Sequence, residues 1–233
     1  MKRIFITLKG KNKQRSINNI KRKTHKKKNV KEHIDLSKVK LLPITKKDYH
    51  SIYNLTTDKR VIKYVGNGKV WDKRKVNNYI KYNIIENDEP YKTRTHFSFK
   101  IVDLSNNKPK FIGIIEFHTF PQLSKYNKQY NKFKNIYFLT IFIKYNKQKL
   151  GYASKAINLI IQKYKQYKLP YINKLYNNIS IKNSLGKNKF NYIYSMVRIN
   201  NIGMINFSRK HKFKLILQIN FNKEKFNIYA IPL

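Results

Sequence analysis

One segment constrains this chain more than any other: an apolar run from Ile136 to Ile143, a polar loop from Lys144 to Leu150, and Gly151 opening an amphipathic stretch. Ala153, Ala156, Ile157, Ile160, Ile161 and Tyr164 recur at three- and four-residue steps, the spacing of one helix face. The run before them is apolar enough for a strand in the middle of a sheet. The unit is therefore strand, loop and helix. The first turn of a helix leaves backbone N–H groups without partners and carries the positive end of the helix dipole, which together suit a pyrophosphate. Gly151 lacks a Cβ and lets a phosphate come close, and Lys147 and Lys149 add positive charge. A glycine at a helix start is also an ordinary turn residue, so this segment alone leaves cradle and turn both open.

The flanking sequence supplies the rest of a sheet. Val39–Ile44 reads as a short strand that Pro43 confines to an edge or an end. Tyr49, Ile52, Tyr53 and Leu55 give a helical face, a loop with Gly66 and Gly68 spans Asp58 to Lys69, and Val76, Tyr79, Ile80, Ile84 and Ile85 mark a second helix starting near Asp72. Two strands follow at His96–Leu104 and Phe111–Phe117, before the run at Ile136–Ile143. The polar stretch Gln122–Lys134 between the last two reads as a loop, with Tyr126, Tyr130 and Phe133 as candidate ligand contacts. Beyond the amphipathic helix, residues 166–190 read as an insertion, Tyr192–Ile199 as a strand, Asn201–Lys210 as a short helix, and Phe213–Ile219 with Phe226–Ile231 as a terminal hairpin. The order β-α-α-β-β-β-α-β-α-β-β predicts an α/β (α+β mixed) fold, a central mixed sheet with helices on both faces.

Composition limits what such a fold can do. Lys and Arg number 52 against 11 Asp and Glu, a formal charge of +41, so the chain repels itself and attracts polyanions such as nucleic acid or a ribosome. A composition biased towards Lys, Asn, Ile, Tyr and Phe is the competing explanation. Residues 9 to about 38 hold few large apolar side chains and the run Lys21–Lys28, which predicts a basic disordered tail over 1–38 ahead of a domain at 39–233. That tail is also a candidate nucleic-acid arm or nuclear address. With no Cys there is no disulfide, thiolate metal site or Cys nucleophile. No stretch approaches the ~20 apolar residues of a membrane helix, and the opening Met1–Leu8 is too short for a signal-peptide core. The expectation is an intracellular, cytoplasmic protein without a membrane partner.

Candidate proton-handling groups are few. Between Leu104 and Lys223 the only carboxylate is Glu116, whose cationic surroundings favour ionisation. It reads either as a water-mediated base or ammonium anchor, or as an outward-facing strand residue paired with a lysine. His118 stands two residues on and shares its strand face; His96 is the other imidazole in a strand. No ligand spacing suggests a metal.

Several segments resemble the GNAT superfamily of N-acetyltransferases, within it the RimJ/RimL-like enzymes. They are Leu41–Asp48, Val61–Gly66 with Trp71-Asp72, Lys108–Ile115, and Gln148-Lys149-Leu150-Gly151-Tyr152-Ala153, which matches the family's acyl-CoA signature; Asn201, Lys210 and Phe213 fit its last helix. The resemblance implies a GNAT-like fold with a mostly antiparallel sheet and acetyl-CoA as co-substrate. Its pyrophosphate would lie on Gln148, Lys149, Leu150, Gly151, Tyr152 and Ala153, and its pantetheine arm would pair with the main chain of Phe142 and Ile143. Asn201 completes the implied cofactor residues. The acceptor is an amine, such as a protein N-terminus, attacking the thioester directly, with Glu116 or His118 assisting. The sequence departs from the pattern at Lys149 and Lys212, where the family has Gly, at Met204, where it has a small residue, and at Ser208, where some members have Tyr. These departures raise one alternative: a catalytically weak GNAT-like scaffold acting as a basic nucleic-acid- or ribosome-associated protein.

Overall fold

The computed structural model describes residues 34–90, 94, 96–119, 137–166 and 192–232. The expectations for residues 1–33, for Gln122–Lys134 with Tyr126, Tyr130 and Phe133, and for residues 167–190 lie outside them. In chain order the elements are β1 (Val39–Pro43), α1 (Tyr49–Thr57), α2 (Lys59–Ile62), α3 (Lys73–Asp88), β2 (His96–Asp103), β3 (Lys110–Thr119), β4 (Tyr137–Ile143), α4 (Tyr152–Gln166), β5 (Tyr192–Arg198), α5 (Ile202–Lys210), β6 (Lys214–Phe221) and β7 (Glu224–Pro232). The predicted order holds, with one addition: α2 forms inside the expected loop 58–69. Asp58 caps it by accepting from the Arg60 N–H at 2.9 Å, and Val61 and Ile62 are apolar enough to bury the turn.

The strands form one sheet in the order β1-β2-β3-β4-β5-β7-β6. Every pairing is antiparallel except that of β4 with β5. Alternation along the strands divides the core between the two faces. Phe97, Phe99, Ile101, Ile115, Phe117, Leu139 and Ile143 pack with Tyr152, Ala156, Ile157 and Ile160 of α4. On the other face Ile114 and Phe142 pack with Ile52, Leu55, Val61, Ile62, Val76 and Ile80 of α1–α3. Burial of each large aliphatic or aromatic side chain contributes about 1.5–3 kcal/mol, so the α4 stripe alone outweighs the helix's intrinsic propensity. Ile34 and Leu36 also pack on the first cluster. The sequence reading placed them in the tail because two apolar residues among so many lysines carry no visible period.

Four of the scarce acids sit where helical turns begin. Asp35, Asp58 and Asp72 accept from the N–H groups of Ser37, Arg60 and Lys75, and Asp48 accepts from the Thr45 N–H and pairs with Lys100 at 2.8 Å. The terminal hairpin turns through Asn222 and Lys223 at φ 51° and 63°, the double left-handed geometry of a two-residue turn.

Gly113 sets the spacing of β3 and β4. A Cβ there would lie 1.9 Å from the Phe142 carbonyl oxygen, a backbone atom that cannot move without parting the strands. Gly113→Ala is therefore expected to cost about 3 kcal/mol or more, the range of severe core overpacking. Urea unfolding measures it; a loss under about 1 kcal/mol would show that the strands part easily.

Candidate functional site

The site is built on β4, which has a full neighbour on one side only. With β3 it pairs along its length, Gly113↔Ile143 to Thr119↔Tyr137. With β5 it shares the single register pair Phe138↔Tyr194. Parallel strands joined at one end diverge toward the other, so an opening lies beside β4 beyond Phe138. The main-chain direction along the opening follows from alternation. Phe142 turns its carbonyl to Gly113 and Lys144 donates its N–H to Ile112 at 2.9 Å, so even-numbered residues face β3. The Leu139 carbonyl and the main-chain groups of Ile141 and Ile143 then turn toward the opening, while the Leu139 N–H serves the pair with Tyr194.

The chain leaves β4 through a short 3-10 turn, Tyr145–Lys147, and enters α4 at Tyr152. The first backbone bond onto the start of α4 runs from the Lys155 N–H to the Gly151 carbonyl at 3.1 Å. Ahead of it stand the N–H groups that a helix start leaves without intrahelical acceptors. Lys149 and Gly151 adopt φ 61° and 87°. A lysine in the left-handed region costs about 1–2 kcal/mol, so the loop keeps a glycine-like path without a glycine. Lys212, the other position where the family has Gly, does the same at φ 56°.

A buried bond fixes the start of α4. The Tyr152 hydroxyl donates to Asp103 Oδ2 at 2.5 Å, joining the first helical residue to the end of β2. Asp103 also accepts from the Ser105 N–H and hydroxyl at 2.9 and 2.5 Å. Burial works to raise the Asp103 carboxyl, yet the bonds from Ser105 and Tyr152 hold it below its ordinary value.

A polar cluster occupies the face of β2–β4 that α3 covers. Ser98, Glu116 and Thr140 are register partners in one row, and His96, His118 and Phe138 in the next. Glu116 is buried and accepts from the Tyr79 hydroxyl at 2.8 Å and from Ser98 Oγ at 3.1 Å. Ser98 gives its one hydrogen to this carboxylate, so at 2.6 Å its oxygen accepts from His96 Nε2. The network thereby places a proton on His96 Nε2. The His96 and His118 rings stack with centroids 5.8 Å apart, and His118 Nε2 lies 3.0 Å from Thr140 Oγ1. Burial works to raise the Glu116 carboxyl, but the His96 bond, the charges of His96 and His118 and the Tyr79 hydroxyl outweigh it and bring it to about 2. Burial pushes Tyr79 well above its ordinary value, with the Glu116 charge adding to it.

Against these positions, the sequence-predicted residues divide. Ile143 faces the opening, although its carbonyl already accepts from Gln148 Nε2 at 3.1 Å. Phe142 does not face it: its carbonyl turns to β3 and its ring is buried against Trp71, centroids 6.0 Å apart. Lys149 and Leu150 are exposed on the loop, Gly151 and Ala153 are half-buried, and Tyr152 is core. At Gly151 the Cβ direction points at Leu36 Cδ1, 2.8 Å away, so the missing side chain makes room for that leucine. Asn201 caps α5, its Oδ1 accepting from the Met204 N–H at 3.1 Å. Glu116 is neither outward-facing nor paired with a lysine; β3 directs it under α3 into the histidine cluster. The sequence reading passed over Ile141, Asp103, Tyr79, Ser98 and Thr140. Only the polar alternation of Ser98 and Thr140 on apolar strands could have marked any of them.

A family model described as an acetyltransferase (GNAT) domain matches residues 38–214, and the chain belongs to that family. Its members are N-acetyltransferases that use acetyl-CoA. No curated protein sequence matches the chain. Among solved structures the fold resembles a GNAT-family acetyltransferase from Bacillus anthracis, at 16% identity and TM-score 0.57, over 85% of this chain and 97% of that one. It also resembles RimL, a ribosomal L7/L12 alpha-N-protein acetyltransferase in complex with coenzyme A, at 12% identity and TM-score 0.56, over 84% and 95%. A third is a spermidine N-acetyltransferase from Vibrio cholerae in complex with CoA and spermine, at 16% identity and TM-score 0.54, over 84% and 96%. At these identities the likeness establishes the fold. Among the described residues no group of three or more His, Asp or Glu is placed to hold a metal, and no helix is long and apolar enough to cross a membrane.

Two measurements check the site. Glu116 has its folded pKa below the ordinary 4.5, so its stabilisation is full above that pH and is lost as pH falls toward about 2. Unfolding free energy should drop by a few kcal/mol across this window, and Glu116→Gln should flatten the drop; an unchanged acid limb would contradict the buried ion network. Lys149→Gly should raise stability by about 0.5–1 kcal/mol, the left-handed strain relieved less the added unfolded-state entropy. A loss of stability on urea unfolding would mean that the lysine side chain holds the loop.

Proposed function

We propose that this chain transfers an acetyl group from acetyl-CoA to a primary amine, a protein N-terminus or a small amine, by direct attack on the thioester. The observation that carries the reading is the opening beside β4: the Leu139 carbonyl and main-chain groups of Ile141 and Ile143 face it, and the loop 148–151 brings a helix start to its end. The residues fit an acyl-CoA there. An extended pantetheine arm is rich in amides and pairs with a strand edge, and a pyrophosphate suits N–H groups aimed along a helix axis beside Lys147 and Lys149. When bound, acetyl-CoA supplies the activated carbonyl. The amine forms the new C–N bond, the C–S bond breaks, and the proton lost by nitrogen balances the thiolate that leaves.

The polar cluster stands on the face beside that opening, with Thr140 just past the last β4–β5 pair. Glu116 is a poor base, since a carboxyl held near 2 binds a proton weakly at neutral pH. The imidazole of His118, bonded to Thr140, takes the proton directly or through a water. Glu116 acts as a positioning residue, orienting His96 through Ser98 and placing a negative charge beside the imidazolium that forms on His118. The scaffold alternative finds no support in the family match. Both acceptor types are represented among proteins of similar fold: RimL is an alpha-N-protein acetyltransferase and the Vibrio cholerae protein a spermidine N-acetyltransferase.

Acetyl-CoA binding tests the reading without knowledge of the acceptor. Acetyl-CoA at 100 times its Kd should stabilise the protein by about 2.7 kcal/mol, and Gly151→Glu, whose side chain would run into Leu36 and displace the φ 87° turn that presents the helix-start N–H groups, should abolish the shift. No shift in the unaltered protein would overturn the proposal. On a panel of N-terminal peptides and small amines, His118→Gln should lower kcat about 100-fold or more with acetyl-CoA binding retained; an unchanged kcat would remove the histidine from the mechanism.

A further inference from the structure

Beyond Phe138 and Tyr194, β4 and β5 separate, and Phe142 and Arg198 stand at equal steps past that last shared pair. Something must set the distance between them, since no strand pairing does. The segment from α2 to Gly68 reaches both sides. On the β4 side, Val61 and Ile62 pack with Phe142 in one buried cluster. On the β5 side, Arg198 donates from Nη1 to the Lys63 carbonyl at 3.0 Å and from Nη2 to the Gly66 carbonyl at 2.7 Å. Lys63 ends α2, so the guanidinium meets the negative end of that short helix and the turn that follows it.

The guanidinium is itself held. Arg198 Nε lies 2.8 Å from Glu224 Oε2 on β7, the Phe226 ring lies 5.8 Å away, and Arg198 is 9% exposed. The loop is shaped to fit it. Gly66 and Gly68 adopt φ 54° and 73°, and a Cβ at Gly68 would lie 3.0 Å from the Lys63 carbonyl and 3.4 Å from Arg198 Nη1. A planar fork that donates to two carbonyls while its charge faces a carboxylate is specific to arginine; lysine offers one point charge.

We infer that Arg198 is a positioning residue for acyl-donor binding: its bonds to Lys63 and Gly66 brace the open end between β4 and β5 and set the width of the opening. The brace rests on the reading that acetyl-CoA occupies the opening. It touches neither the cluster at Glu116 nor the loop at Gly151, so its loss changes the grip on the donor without removing a group that the chemistry uses.

Calorimetric titration of the full chain with acetyl-CoA tests this, using Arg198→Met, Arg198→Lys and Glu224→Gln. The expected result is a Kd at least ten-fold weaker for Arg198→Met, an intermediate loss for Arg198→Lys, and a two- to five-fold loss for Glu224→Gln. Millimolar guanidinium should recover part of the affinity of Arg198→Met, because the vacated space retains two carbonyls and a carboxylate. If Arg198→Met does not fold, the other two variants carry the test. An arginine that only stabilises the fold would lower the binding-competent fraction but leave Kd unchanged in the folded protein, and that outcome overturns the inference. Absence of acetyl-CoA binding in the unaltered protein would instead sink the reading beneath it, and the brace with it.

Discussion

β4 pairs fully with β3 and almost not at all with β5, and the site depends on that asymmetry. A strand in mid-sheet ordinarily has both sets of main-chain groups satisfied by neighbours. Here the set from the Leu139 carbonyl through Ile141 and Ile143 is turned outward, beside the start of α4. Each neighbouring feature maintains this state. Gly113 lets β3 come close enough to hold β4 from one side, Tyr152 and Asp103 fix where the helix begins, and the loop after α2 closes on Arg198 across the far end. The opening is the product of the fold rather than a gap in it.

The chain achieves this with an adverse composition. Its acids are too few to neutralise the lysines, and six of the described ones, Asp35, Asp48, Asp58, Asp72, Asp103 and Glu116, sit at helix starts or in buried networks, where one carboxylate changes most. Glu116 shows the consequence. Hydrogen bonds and paired charges, rather than solvent, keep it ionised, which makes it a firm orienting charge and a weak proton acceptor. Lys149 and Lys212 show the complementary cost, since both hold left-handed backbone geometry where glycine would do so without strain. The backbone path has been retained while the side chains changed.

The fold was legible in the sequence because its signals are local. Strand alternation in β2–β4 and the apolar stripe of α4 each report a period within one element. The loop and helix start at 148–153 were legible for the same reason. What sequence could not show depends on register between strands distant in the chain. Phe142 and Ile143 are equivalent as letters, yet pairing with Gly113 turns one to β3 and leaves the other facing the opening. Glu116 stayed open between a base and an outward-facing strand residue because nothing in its own strand reveals that Tyr79 arrives from α3 or that Ser98 and His96 stand beside it on β2. Leu36 was assigned to a basic tail, although its side chain fills the space that Gly151 leaves. Arg198 gave no sign at all: the Lys63 and Gly66 groups it binds are backbone carbonyls, which carry no residue identity, and Glu224 reaches it from another strand.

Hydrogen–deuterium exchange of the backbone amides, with and without acetyl-CoA, tests the central claim most directly, because it reads the groups on which the account rests. If the donor lies along β4 and on the start of α4, protection should rise at Ile141 and Ile143 and at Gly151 and Ala153, with little change at Phe142, whose main chain already faces β3. Protection that left Ile141, Ile143 and Gly151 unchanged while acetyl-CoA bound elsewhere would contradict it.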